Sequence, residues 1–134
     1  MYKSETTVRV RYAETDQMGY CYYGNYATYF EVGRVEALRS LGISYRDLEE
    51  SGVMLPVLNV QINYKRPARY DDQLTIETRI TELPSARIRF EYTCKLDEEV
   101  LTTGETTLAF LRTSDHRPVR APEHLLEALQ PYFK

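Results

Sequence analysis

Histidine, cysteine and tryptophan are nearly missing from this chain: two, two and none among 134 residues. So few ligating side chains leave no plausible structural zinc set, and no metal site is expected. Cys21 and Cys94 form no C-x-x-C pair and suggest no disulfide framework, which fits a reducing compartment, so a cytoplasmic protein is expected. There is no G-x-S-x-G elbow, no G-x-G-x-x-G or P-loop, and no H-E-x-x-H. Positive charge is not in excess: 17 Lys and Arg against 20 Asp and Glu give a net charge of -3. That gives no electrostatic case for nucleic acid or an anionic membrane surface. The N-terminus lacks the apolar run of a signal peptide, and no stretch reaches transmembrane length, so membrane insertion is not expected.

What is present suits one globular domain, expected over residues 1–134, with 43% hydrophobic and 28% charged residues. Alternating stretches predict five strands. Glu5–Tyr12 should face inward with Thr6, Val8, Val10 and Tyr12, and Val53–Lys65 with Leu58, Val60, Ile62 and Tyr64 beyond a bend at Pro56. Leu74–Leu83 should bury Leu74, Ile76 and Ile80. Arg87–Leu96 should bury Ile88, Phe90, Tyr92, Cys94 and Leu96. An acidic turn at Asp97-Glu98-Glu99 then leads into Val100–Thr113. Ser44–Glu50 and a segment opening at Pro122 and Glu123 read as short helices.

Between the first two strands lies YAETDQMGYCYYGNYATYFEVGRVEALRSLG, Tyr12–Gly42. Its first half is a turn-rich loop. Its second half is a helix with Asn25 as expected N-cap and Gly42 as its stop. Tyr26, Tyr29, Phe30, Gly33, Ala37 and Leu41 lie along one helical face, while Val32, Val35 and Leu38 imply cover on further sides. Five strands with one long apolar helix predict an α+β layout, an antiparallel sheet wrapped around that helix. The loop places Asp16 just ahead of the helix N-terminus, whose unpaired N–H groups and partial positive charge suit a developing oxyanion. Tyr23, Gly24 and Asn25 are the candidate donors. Asp16 is a candidate nucleophile or base; as a bare pattern, an Asp in such a turn equally suits loop capping. A thioester asks for little more, because a thiol of pKa about 8.5 leaves without a dedicated acid. Cys21 reads as a small buried apolar residue.

The run RYAETDQMGYCYYGNY (Arg11–Tyr26), followed by YFEVGR (Tyr29–Arg34), resembles the signature of the 4-hydroxybenzoyl-CoA thioesterase family. These are hot-dog-fold acyl-CoA thioesterases, including a Tol-Pal-associated branch. The resemblance implies a catalytic carboxylate at Asp16, oxyanion amides at Tyr23 and Gly24, and sites at the interface of a homodimer or homotetramer. Gly19, Asn25 and Tyr26 fall within the same motif as substrate-binding candidates. Many relatives carry histidine where this chain has Tyr23, although the 4-hydroxybenzoyl-CoA type also has tyrosine there. The implied substrate is an acyl- or aroyl-CoA, so coenzyme A belongs to the substrate and no cofactor is expected; acyl carrier protein as the thiol carrier, or a non-catalytic acyl-CoA-binding module, are the alternatives. Lys65 and Arg66 at a strand end, and Arg87 and Arg89 on the fourth strand, are candidate partners for the phosphates. Glu31 reads as the i, i+3 partner of Arg34.

Overall fold

A computed structural model describes residues 1–133. The chain runs β1 (Tyr2–Arg9), α1 (Asn25–Ser40), α2 (Tyr45–Glu50), β2 (Val53–Met54), β3 (Val57–Tyr64), β4 (Gln73–Ile80), β5 (Arg87–Leu96), β6 (Glu99–Ala109), β7 (Leu111–Arg112) and α3 (Glu123–Leu129). Five strands form one antiparallel sheet in the order β1-β4-β5-β6-β3, and β2 pairs with β7 in a separate two-stranded ribbon. The fold is therefore α+β, with a 16-residue helix and two short ones.

Strict alternation in β4 and β5 drives Leu74, Ile76, Ile80, Ile88, Phe90, Tyr92 and Cys94 into the core. Against them α1 buries Tyr26, Tyr29, Phe30, Gly33, Ala37 and Leu38, and Phe30 stacks on Tyr92 at 4.5 Å. Gly33 sits where the helix comes nearest β4. A Cβ there would stand 2.6 Å from Thr78 Oγ1 and 2.8 Å from Ile76 Cγ2, so side chains, rather than the other backbone, use the space. After Ser40 the chain stops in a Schellman turn: Ile43 N–H donates to Leu38 O, Gly42 N–H to Arg39 O, and Gly42 takes φ +84°. Ser44 caps α2 by accepting from Asp47 N–H.

Several expectations are corrected. Tyr12 is not an inward strand residue: β1 ends at Arg9, and Tyr12 is exposed in a 3-10 turn, Tyr12–Glu14. Asn25 does not cap α1; Gly24 holds the N-cap position and Asn25 is the first helical residue. Pro56 splits the second expected strand into β2 and β3. β3 is the sheet edge, so Val57, Leu58, Val60 and Tyr64 are exposed and Ile62 is only half-buried. The last expected strand breaks at Phe110 into β6 and β7. Finally, α1 is covered on the sheet side while Ala27, Thr28 and Glu31 face outward, exposed.

Candidate active site

The loop before α1 is held by Glu14. Its carboxylate accepts from Arg11 N–H at 2.8 Å, the Arg11 guanidinium at 2.9 Å and the Tyr29 hydroxyl at 2.9 Å, the last reaching down from α1. Its carbonyl accepts from Tyr22 N–H and Asn25 Nδ2, both at 2.8 Å. One residue thus fastens the loop to the start of the helix. Burial opposes the Glu14 charge, yet the hydrogen bonds from Arg11 and Tyr29 outweigh it and hold this carboxyl below the usual range. Tyr29, buried and facing that carboxylate, is pushed far above an ordinary phenol.

Two residues on, Asp16 is half-buried and differently held. Its Oδ1 accepts from Met18 N–H at 2.9 Å and Tyr20 N–H at 3.3 Å, while its backbone pairs with Tyr20 O and Gly19 N–H, both at 2.9 Å. These bonds fix the carboxylate's orientation, and Gly19 closes the turn at φ +80°. Oδ2 has no partner among the described residues.

Asp16 lines a cleft of about 240 Å³, with Tyr23 from just ahead of α1, Tyr26 from its first turn, Tyr64 from the end of β3, and Lys65 and Arg66 just beyond it. The Tyr64 hydroxyl donates to Tyr23 O at 3.1 Å, and its ring packs edge-on against Tyr23 and Tyr26. Burial pushes Tyr26 up to about 12 and raises the Cys21 thiol, so Cys21 in the cleft wall is a neutral thiol. Asn25 N–H donates back to Tyr22 O and Tyr26 N–H to Tyr23 O. The amides of Tyr23 and Gly24 have no acceptor among the described residues. The arrangement sets a carboxylate oxygen, two open backbone donors and a cation around one aromatic cleft.

Tyr23, Tyr26, Lys65 and Arg66 thus join Asp16 in the cleft, while Gly19, Gly24 and Asn25 flank it without lining it. Arg66 is also paired with Glu99 at 3.2 Å. Arg87 and Arg89 lie elsewhere, on β5, and Arg89 is engaged by Glu91 at 2.6 Å and by Glu105. The cleft also contains Met18, Tyr20 and Tyr64, and the Glu14 anchor behind it, none singled out by sequence; the Tyr at the end of an alternating strand was the available signal for Tyr64. No cluster of three or more His, Cys, Asp or Glu side chains among the described residues is placed to hold a metal ion. No described helix is long and apolar enough to cross a membrane.

Compared with known proteins, residues 10–129 match the profile of the thioesterase-like superfamily. The chain belongs to that superfamily. This thioesterase-like chain is 32% identical over 122 residues to the acyl-CoA thioesterase YbgC of Haemophilus influenzae, with 90% of each chain covered. It superposes on the DHNA-CoA thioesterase of Staphylococcus aureus with a TM-score of 0.86 and 36% identity, over 99% of this chain and 85% of that one. It is 32% identical over 123 residues to the acyl-acyl carrier protein thioesterase ATL2 of Arabidopsis thaliana, covering 90% of this chain and 65% of that one. The sheet and helices are those of the hot-dog thioesterases, and the chain is a thioester hydrolase.

Proposed function

We propose that this chain is an acyl-CoA thioesterase whose chemistry is carried by Asp16 at the tip of α1. The supporting observation is the unpaired Oδ2 of Asp16, held in a cleft beside two unengaged helix-tip amides. The carboxylate supplies the attacking oxygen, directly or by taking a proton from water. The carbonyl oxygen gains negative charge and is received by the Tyr23 and Gly24 N–H groups. The C–S bond then breaks and the thiolate leaves, taking up a proton from water. On the direct route a second step follows, in which water hydrolyses the Asp16–acyl anhydride, freeing the acid and restoring the carboxylate. Lys65, which has no ion-pair partner among the described residues, receives a coenzyme A phosphate at the mouth, with Arg66 beside it. Coenzyme A is part of the substrate, and the residues call for no resident cofactor.

The whole chain, 1–134, acts as one domain in which the sheet curls around α1, in the reducing cytoplasm where the buried thiols Cys21 and Cys94 stay free. The β3 edge, unpaired on one side among the described residues, is the place where a second copy extends the sheet into a dimer through its backbone. A second reading, hydrolysis of acyl groups presented on acyl carrier protein, is favoured by the likeness to ATL2. Thiol release measured across short, long and aromatic acyl-CoAs, and the same acyl groups on the carrier protein, tests both. Turnover of at least one acyl-CoA is expected; release only from the carrier selects the second reading, and tight binding without release of any thiol overturns both in favour of a binding module.

A further inference from the structure

Helix α1 holds a buried charge that no carboxylate among the described residues neutralises. Arg34 is only 6% exposed. Its Nε donates to the Tyr45 hydroxyl at 3.2 Å and the Tyr92 hydroxyl is a second hydrogen-bonding neighbour, but no carboxylate among the described residues pairs with it. Its Nη atoms are not among the buried side-chain atoms without partners, which are Thr78 Oγ1 and Thr102 Oγ1. Glu31, one turn earlier, forms no ion pair with it within 4.0 Å, so the helical spacing that suggests such a pair is not used. A guanidinium offers five donors and cannot shed its proton, so a buried one with only two neutral phenols as partners is costly unless a counter-charge arrives.

Arg34 opens into a groove of about 250 Å³ between Ala27 and Thr28 of α1 and Val57 and Val60 of β3, with Glu31 on its rim. The same two elements bound the Asp16 cleft, with Tyr26 in the first turn of α1, Tyr23 just ahead of it and Tyr64 at the end of β3. Because β3 runs from Val57 to Tyr64 as the helix runs from Arg34 back to Tyr26, the two cavities lie end to end along one seam. From Asn25, the first residue of α1, to Arg34 is nine residues, roughly 13 Å along the helix axis. The seam is therefore long, apolar along its β3 wall, and ends in a cation with no carboxylate partner among the described residues.

We propose that this seam receives a long acyl chain and that Arg34 binds a carboxylate at the chain's far end, making mono-CoA thioesters of linear dicarboxylic acids preferred substrates. The inference rests on the Asp16 cleft being the hydrolytic site. Glu31 opposes an anion here, but it is exposed and hydrated, whereas Arg34 sits in a poorly screened position and gains more from a carboxylate than water-facing Glu31 loses. A guanidinium–carboxylate contact also suits the Nη atoms, which no carboxylate among the described residues engages.

The test is a length ladder of ω-carboxyacyl-CoAs against their methyl-ended counterparts, read as the ratio of kcat/KM at each length. In the unaltered protein the ratio should peak at one chain length and favour the carboxylate by about tenfold or more. Arg34→Met should cut that peak ratio at least tenfold, and Glu31→Gln, which leaves the buried network alone, should raise it severalfold. An unaltered protein that hydrolyses no member of either series overturns the hydrolytic reading and this inference with it. Hydrolysis with no carboxylate preference at any length, or with a ratio that neither substitution moves, overturns this inference alone. Sedimentation of Arg34→Met checks the remaining occupant: if the ratio falls only as the oligomer dissociates, the groove is an interface between copies and the inference is overturned.

Discussion

The outer face of the sheet and the seam between α1 and β3 both carry cations, and they treat them in opposite ways. On the outer face Arg79, Arg89 and Lys95 alternate with Glu77, Glu91 and Glu105. Arg79 meets Glu77 at 2.6 Å, Arg89 meets Glu91 at 2.6 Å and also Glu105, and Lys95 meets Glu77 at 3.4 Å. Each of these six charges has an opposite across or along the strands, so this part of the face is solvated and closed to an anionic ligand. Along the seam Lys65 and Arg34 have no carboxylate, and the one carboxylate in the cleft, Asp16, has no cation. The unmatched charges along the seam are the ones that the proposed function assigns to contact with the substrate.

That contrast can be sharpened or broken by substitution. The largest effect is expected at the helix–sheet contact that supports both regions. Gly33→Ala would gain up to about 1 kcal/mol of helix propensity but forces a methyl against Thr78 Oγ1 and Ile76, and should lower stability by about 1–3 kcal/mol. A denaturant midpoint equal to or above that of the unaltered protein would show that the helix can slide away. Next comes the anchor. Glu14→Gln should lose about 1–2 kcal/mol in urea unfolding, since charge-assisted bonds from Arg11 and Tyr29 become ordinary ones. It should also change the pH profile. The Glu14 carboxyl is depressed in the folded state, so its stabilisation is complete above the ordinary value of 4.5 and fades as pH falls through the lower folded value. Glu14→Gln should therefore flatten the acid limb of the stability curve; an unchanged limb would mean that other carboxylates govern it. The smallest effects separate the two sets of cations. Lys65→Ala should raise KM for acyl-CoA by about tenfold or less, with the difference shrinking in high salt. Arg89→Ala should leave KM unchanged and cost less than about 1 kcal/mol of stability; a KM effect as large as that of Lys65→Ala would erase the distinction between the two regions.

Much of this was legible from residue order. β5 is bounded as its alternation indicates, and Gly42 and Ser44 end and begin their helices through local hydrogen bonds that a sequence shows directly. The position of β3 was not, because alternation reports two faces and says nothing about which strand lies at an edge. Asn25 looks like a cap by type, but the carbonyl it binds belongs to Glu14, eleven residues earlier. Glu14 itself reads as a turn former, since the Tyr29 hydroxyl that completes its bonding comes from a different element. Arg34 shows the same limit from the other side: spacing supplies a partner at Glu31, and the packing of Tyr45 draws the guanidinium away from it.

The account stands on Asp16, and Asp16→Asn tests it most directly, with turnover and affinity measured on one acyl-CoA. The amide keeps an oxygen for the Met18 and Tyr20 N–H groups, so the turn should survive. The dissociation constant is expected to stay within about threefold of the unaltered protein while kcat falls by on the order of 10³. A variant that binds and hydrolyses as well as the unaltered protein would contradict the assignment of Asp16 as the group that does the chemistry.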